Sequence, residues 1–557
     1  MSPDSDRPDL RADLTRRDFV AAVAVAATAS VTAPTAAGAA PSSSPPAAGP
    51  PTAVPPARED ALFEKGVAEL QEMMARGDLT SRALTERYLR RIAAMDKQGP
   101  AINAVIELNP DAAAIADGLD AERRAGRVRG PLHGIPVLIK DNIDSADQMR
   151  TTAGSLALAD SRPLQDAFIV QRLRSAGAVL LGKTNLSEWA NYRSTRSTSG
   201  WTGRGGLTRN PYVLDRNCSG SSSGTGAALA ADFATLGIGT ETDGSIISPA
   251  SICGLVGIKP TLGLWSRSGI IPIAASQDTA GPMCRTVADA AALLGALTGA
   301  DPRDGATKAS AGHTAPDYTA FLKADGLRGA RIGVARAQAG FNPIVDRAFD
   351  EAVAAMKAAG AVIVDPASLP TPAALGPAEL VVLDYEFKAG LNAYLATRGP
   401  TVAVKTLAEL IAWNEREAAR EMPWFGQEIF IRAQKSGPLT DKKYLDARAT
   451  CLRLTRTQGI DALMAKHRLD AIVLPSNQPA WTTDLLNGDH FTGGDTTYAS
   501  VAGYPSVTVP MGMVHGLPVG VSFIGRAWEE GRLISYAYAF EQGTKARRGP
   551  GYVRTLG

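Results

Sequence analysis

The chain has 557 residues, 45% of them hydrophobic and 20% charged, a globular composition with enough apolar material for a large core. Its 58 basic and 56 acidic residues leave a net charge of +2, which points neither to nucleic acid nor to an anionic membrane surface. Four cysteines, none in a C-x-x-C pair, give no structural zinc pattern.

In chain order, the first feature is "LTRRDFVAAVAVAATASVTAPTAAGAA". Arg16-Arg17 precede an apolar run to about Val31, and Ala37-Gly38-Ala39 offers a small-residue cleavage pattern. This predicts a signal peptide over residues 1–39, of the twin-arginine type, and hence export to the periplasm or the exterior. The apolar run is too short for a permanent membrane anchor. Twin-arginine substrates cross folded from a reducing compartment, so the cysteines are expected as free thiols. Residues 40–57, rich in Pro, Ser and Ala, read as a linker, and residues 58–557 as one folded domain.

That domain opens with helical patterning in "LFEKGVAELQEMMARG" and "SRALTERYLRRIAAM". Short apolar runs then alternate with helices: "GIPVLIK", "AGAVLLGK", "ATLGIGT", "RIGVA" and "DAIVLP". The rhythm predicts an α/β fold around a largely buried sheet. Residues 370–450, rich in Ala, Leu and Glu, read as a helical lobe against that sheet.

Two motifs suggest chemistry that the surrounding residues oppose. Gly177 to Thr184 matches the Walker A pattern, but Ala178 to Leu181 is an apolar run suited to a buried strand, where a phosphate loop needs glycine-rich backbone. Gly220-Ser221-Ser222-Ser223-Gly224 fits a G-x-S-x-G nucleophile elbow centred on Ser222. An elbow needs a strand before it and a histidine after it. The preceding "RNPYVLDRNC" reads as loop, and His313, His467, His490 and His515 lie in no catalytic context. No His/Asp/Glu pair has metal-ligand spacing.

Lysine and serine remain. Lys140 ends the apolar run Ile135 to Ile139, a position where it reaches solvent, pairs with Asp141 or Asp144, or gives up its proton and becomes a base. Ser245 follows Asp243-Gly244 in a turn after an apolar strand, either a surface turn or one whose backbone N–H groups converge on an oxyanion.

Together these stretches resemble the amidase signature family. The signature runs from about Arg209 through Thr261, and "GPLHGIPVLIKDNID", "GKTNLSEWAN" and "SQDTAGPM" also have family counterparts. The resemblance implies the amidase signature fold, a large mixed β-sheet flanked by helices. It implies a Ser-Ser-Lys triad of Ser245 as nucleophile, Ser221 as bridging serine after a cis peptide, and Lys140 as base, working through an acyl-enzyme. On that reading Ser222 matches the elbow by coincidence. The oxyanion would sit on the Thr242-Asp243-Gly244-Ser245 turn.

The chain departs from the common pattern at Ser219, Ser223, Asp243 and Ile247, the last replacing an arginine of many members, which argues against carboxylate-bearing substrates. "GTETDGS", "GKTNLSEWAN", "SGW" and "YEFKAGLNAYL" look like the bacterial peptide amidases. The resemblance therefore implies hydrolysis of the C-terminal amide of peptides, with release of ammonia. Alternatives are a general aliphatic or aryl amidase, a component of an amidotransferase that works on charged tRNA, and a non-catalytic binding protein. The expected partner is a small peptide amide, with no cofactor, metal, nucleic acid, membrane anchor or obligate protein partner. Within residues 370–450, Tyr385, Phe387, Tyr394, Trp413, Trp424 and Phe425 either contact an extended peptide or pack the lobe itself.

Overall fold

A computed structural model describes residues 60–556 of the chain. The residues read as signal peptide and linker, 1–39 and 40–57, lie outside the described residues.

Five apolar runs form strands because Val, Ile and Leu are buried on both faces. They are β2 (Pro136–Lys140), β3 (Val179–Thr184), β6 (Leu236–Glu241), β9 (Arg331–Val334) and β11 (Ala471–Pro475). Six further strands complete the sheet: β1 (Val105–Leu108), β7 (Val256–Lys259), β8 (Thr279–Cys284), β10 (Val362–Val364), β12 (Ser506–Val514) and β13 (Leu517–Ile524). A separate hairpin pairs β4 (Trp201–Thr202) with β5 (Gly206–Leu207).

The eleven strands run in the order β1-β3-β2-β6-β8-β7-β12-β13-β11-β9-β10. The sheet is mixed. β2 is parallel to both β3 and β6, while β6/β8, β7/β8 and β12/β13 are antiparallel. Every residue of β2, β3 and β6 is buried, so helices must cover both faces. The architecture is the expected α/β one, a large mixed sheet flanked by helices.

The helix Ser81–Met95 shows how the cover is built. Leu84, Tyr88, Ile92 and Met95 recur at helical spacing and are buried, and the Thr80 side chain accepts a hydrogen bond from the Ala83 N–H to cap the start. The helix Ser223–Ala230 is different, with all eight residues buried. Its small side chains let it press onto the sheet, and a Cβ on Gly224 would run into the backbone carbonyls of Asn185 and Ala104. No helix among the described residues is long and apolar enough to cross a membrane.

Between residues 370 and 450 lie the helices Leu375–Ala396, Leu407–Arg416, Ala418–Glu421 and Glu428–Gln434, with Lys442–Leu452 reaching just past them. A second apolar cluster joins them to the segment around Trp189, including Leu383, Phe387, Leu391 and Phe430.

Candidate active site

Parallel strands open a crevice at their carboxyl ends, and the site is built where β2 and β6 end side by side. β2 ends in Lys140 and β6 ends in Thr240-Glu241. The loop before the helix Ser223–Ala230 brings Ser221 and Ser222 to the same place.

Lys140 is fully buried. Its Nζ lies 2.7 Å from Ser221 Oγ, 3.1 Å from Ser222 Oγ, 2.9 Å from Thr240 Oγ1 and 3.2 Å from Thr240 O. It neither reaches solvent nor pairs with its neighbours, since Asp144 bonds to Arg398 at 3.1 Å and Asp141 faces Arg204 at 3.4 Å. Burial pulls the Lys140 amine down to about 7, against the opposing pull of Glu241 and Asp278. A neutral amine keeps two hydrogens and one lone pair, and the lone pair can take a hydroxyl proton.

Ser222 accepts from Thr240 N at 3.2 Å and donates to Thr240 O at 3.1 Å, so it is tied into β6. Ser221 and Ser222 are both fully buried, and neither lines the cavity beside Ser245. The peptide bond Gly220–Ser221 is cis. The Ser222 N–H donates to Ser245 O at 3.2 Å, stitching the serine loop to the turn that carries Ser245.

That turn is clamped from all sides. Thr242 Oγ1 donates to Asp278 at 2.6 Å, and Asp243 accepts from Thr496 Oγ1 at 2.6 Å and Thr497 Oγ1 at 2.7 Å. Gly244 takes a positive φ of 85°, which glycine adopts without strain. The Glu241 carboxylate accepts the N–H groups of Ile246 at 2.7 Å and Ile247 at 3.0 Å, holding the start of the following helix, Ile247–Ile252.

Thr242, Asp243, Gly244 and Ser245 all line a cavity of about 360 Å³. Ser245, only 9% exposed, is reached through it. From the lobe this cavity takes Glu379, Leu380 and Leu383, and none of the six aromatics named from the sequence. Those aromatics turn elsewhere. Tyr385 stacks on Tyr444, Phe387 on Phe430, and Phe425 meets Trp201 edge-on. Tyr394 donates to Asp144, Trp413 packs against the lobe's own apolar cluster, and Trp424 is exposed.

The remaining motifs resolve likewise. Val179 to Thr184 is strand, and Lys183 is buried with its Nζ 2.7 Å from both Ile143 O and Thr151 Oγ1, which leaves no phosphate cradle. None of the described residues lining the Ser245 cavity is a histidine. His133 is buried with its Nε2 2.9 Å from Leu119 O. Cys218, Cys253, Cys284 and Cys451 are free thiols. No group of His, Cys, Asp or Glu among the described residues could hold a metal ion. Sequence reasoning passed over Thr240 and Asn142, whose Nδ2 donates to Thr240 Oγ1 at 3.0 Å and completes the cradle under Lys140. The only signal for either was nearness to a quoted motif.

A buried lysine amine 2.7 Å from a serine hydroxyl thus sits at the carboxyl ends of a mixed sheet, next to a cavity that opens onto a second serine on a clamped turn. The family model described as Amidase matches residues 83–534, and the chain belongs to that family, the amidase signature enzymes; it is an amidase. It is 52% identical to the native peptide amidase from Stenotrophomonas maltophilia, with a TM-score of 0.84 over 88% of this chain and 99% of that one. An amidase family protein from Bacillus anthracis is 38% identical, with a TM-score of 0.81 over 89% of this chain and 93% of that one. A probable amidase of Arabidopsis thaliana is 40% identical over 487 residues, covering 85% of this chain and 89% of that protein.

Proposed function

We propose that this amidase removes the C-terminal amide of peptides and releases ammonia, using Ser245, Ser221 and Lys140 through an acyl-enzyme. The observation that carries the reading is the 2.7 Å contact of the desolvated Lys140 amine with Ser221 Oγ, next to the cavity that holds Ser245. The likeness to a peptide amidase at 52% identity supports the substrate class.

In this mechanism the neutral Lys140 takes the Ser221 proton as Ser221 takes the Ser245 proton, and Ser245 Oγ bonds to the amide carbonyl carbon. The carbonyl oxygen becomes an anion facing the Thr242-Asp243-Gly244-Ser245 turn, where one lost donor typically costs about 3–4 kcal/mol of transition-state stabilisation. The proton returns through Ser221 to the leaving nitrogen, the C–N bond breaks and ammonia departs. Water then attacks the acyl ester, gives its proton to the same relay, and releases the free acid. The twin-arginine pattern at Arg16-Arg17 supports export of the enzyme to the substrate's compartment.

The test is mass spectrometry of an amidated pentapeptide incubated with the mature protein. A gain of about one mass unit with an intact chain is expected, because NH₂ is replaced by OH. Internal fragments, or an unchanged peptide beside a hydrolysed aliphatic amide, would overturn the reading.

A further inference from the structure

Two hydroxyls that the proposed relay does not use stand beside the nucleophile. Ser219 and Ser248 both line the cavity that holds Ser245, and their Oγ atoms lie 2.7 Å apart. They come from different elements. Ser219 precedes Gly220 in the serine loop, and Ser248 lies in the helix Ile247–Ile252.

The surroundings fix the pair. Ser219 N donates to Asn217 Oδ1 at 2.7 Å, and Ser219 O accepts from Ser223 Oγ at 2.5 Å. Ser248 N donates to Gly244 O at 2.8 Å, and Ser248 Oγ accepts from Asn477 Nδ2. Asn477 is held in turn, its Oδ1 accepting from Gln478 N at 2.7 Å. Ser219 keeps its place at a φ of 59°, in the left-handed region that glycine enters freely and serine enters under strain. Strain held in the wall of a cavity points to a use for the side chain.

The two hydroxyls have a proton to spare. Each carries one, and the contact between them consumes one of the two. Asn477 brings a hydrogen of its own and removes none. Whichever serine donates to the other, one hydroxyl proton is left. No other hydrogen bond of Ser219 Oγ or Ser248 Oγ exists among the described residues. Both residues border the cavity, so the remaining proton is available to a bound molecule. The spacing of the serines fits one acceptor. Ser245 and Ser248 share the turn closed by Ser248 N on Gly244 O, which puts them on one face with Cβ atoms about 5–6 Å apart. A peptide advances about 3.3–3.6 Å per residue. With its terminal amide carbonyl at Ser245 Oγ, the peptide carbonyl one residue back comes within reach of the serine pair.

We propose that Ser219 and Ser248 act together as a hydrogen-bond donor to the peptide carbonyl preceding the scissile amide, so that the site prefers amides with an upstream peptide group over simple aliphatic amides. The inference rests on the peptide-amide reading above and names the group within the substrate that is recognised. A buried donor left unpaired costs free energy, so an amide with no such carbonyl is penalised as well as unaided.

The experiment compares N-acetyl-leucinamide with 4-methylpentanamide, which keeps the side chain and the scissile amide and lacks the upstream peptide group. kcat and KM for both are measured with the parent enzyme and with the double variant Ser219→Gly/Ser248→Ala, glycine suiting the backbone at 219. The parent should favour the acetylated amide by at least about tenfold in kcat/KM. The double variant should lose about tenfold of that preference, the upper worth of one neutral hydrogen bond, with the loss falling on KM for N-acetyl-leucinamide. Because the readout is a ratio within each enzyme, partial loss of folded protein does not move it. A parent with no preference, or a double variant that keeps the preference to within about threefold, would overturn the inference, while hydrolysis of N-acetyl-leucinamide leaves the peptide-amide reading intact. Ammonia from 4-methylpentanamide but from neither N-acetyl-leucinamide nor the amidated pentapeptide would overturn both.

Discussion

At the scale of single residues, desolvation fits Lys140 to the role of base in the proposed mechanism. Its amine titrates near 7 because burial disfavours the charged form, and only the neutral form accepts a proton. kcat/KM should therefore be low in acid, rise as pH passes through about 7, and level off on the alkaline side. A profile flat between pH 5 and pH 9 would contradict this base. Lys140→Ala should lower kcat by about 10²–10⁴-fold, the usual worth of a general base. The neighbouring serines give a sharper contrast. Ser222 Oγ holds Thr240 and Lys140, so Ser222→Ala removes hydrogen bonds worth about 0.5–1.5 kcal/mol each and should leave turnover measurable. On the proposed mechanism Ser221→Ala interrupts the proton path and should cost at least tenfold more in kcat, with both variants checked for folding by thermal melts.

At the scale of elements, the turn after β6 combines backbone conformation with side-chain clamps. A Cβ on Gly244 would sit 2.8 Å from Thr496 Oγ1 in a backbone region with φ at 85°. Gly244→Ala should therefore destabilise the protein by about 1–3 kcal/mol, read from chemical denaturation. The same change displaces the N–H groups of the turn, and kcat should fall by about 10²–10³-fold. Gly77→Ala makes a control. It too has positive φ, but nothing crowds its Cβ, so stability should fall without loss of kcat.

At the scale of the whole molecule, the site depends on a buried joint between the signature core and the helices after residue 374. Arg193 and Glu188 are fully buried and meet at 2.8 Å. The Arg193 guanidinium also donates to Phe425 O at 3.2 Å and lies 4.3 Å from the Phe425 ring. Ala190, Asn191 and Tyr192, between the paired residues, line the Ser245 cavity. Arg193→Ala removes the guanidinium from Glu188 and from Phe425 O and should lower the unfolding free energy, read from chemical denaturation. It should also raise KM for peptide amides more than for a small aliphatic amide, because only the former fill the cavity.

The five apolar runs were legible as strands because a segment buried on both faces must be apolar throughout. The strands that went unread, β7, β8, β12 and β13 among them, mix Gly, Pro, Thr and Ser with their apolar residues. Their burial comes from neighbours distant in sequence. The aromatics of residues 370–450 were ambiguous for the same reason, since composition cannot say which face of a helix meets a cavity. Packing gave the cavity Glu379, Leu380 and Leu383 instead.

By itself the sequence determined the fold class, through apolar runs alternating with amphipathic helices, and it marked the lysine and serine segments through their resemblance to the amidase signature family. The tertiary structure decided what those segments do to one another. Lys140 and Ser221 stand 81 positions apart and meet only because β2 lies beside β6 and the serine loop crosses their ends. Ser245, Glu379 and Asp489 line one cavity only because a turn, a helix and a late loop enclose one volume. Burial and electrostatic potential depend on everything nearby in space, and neither is written in any one stretch of chain.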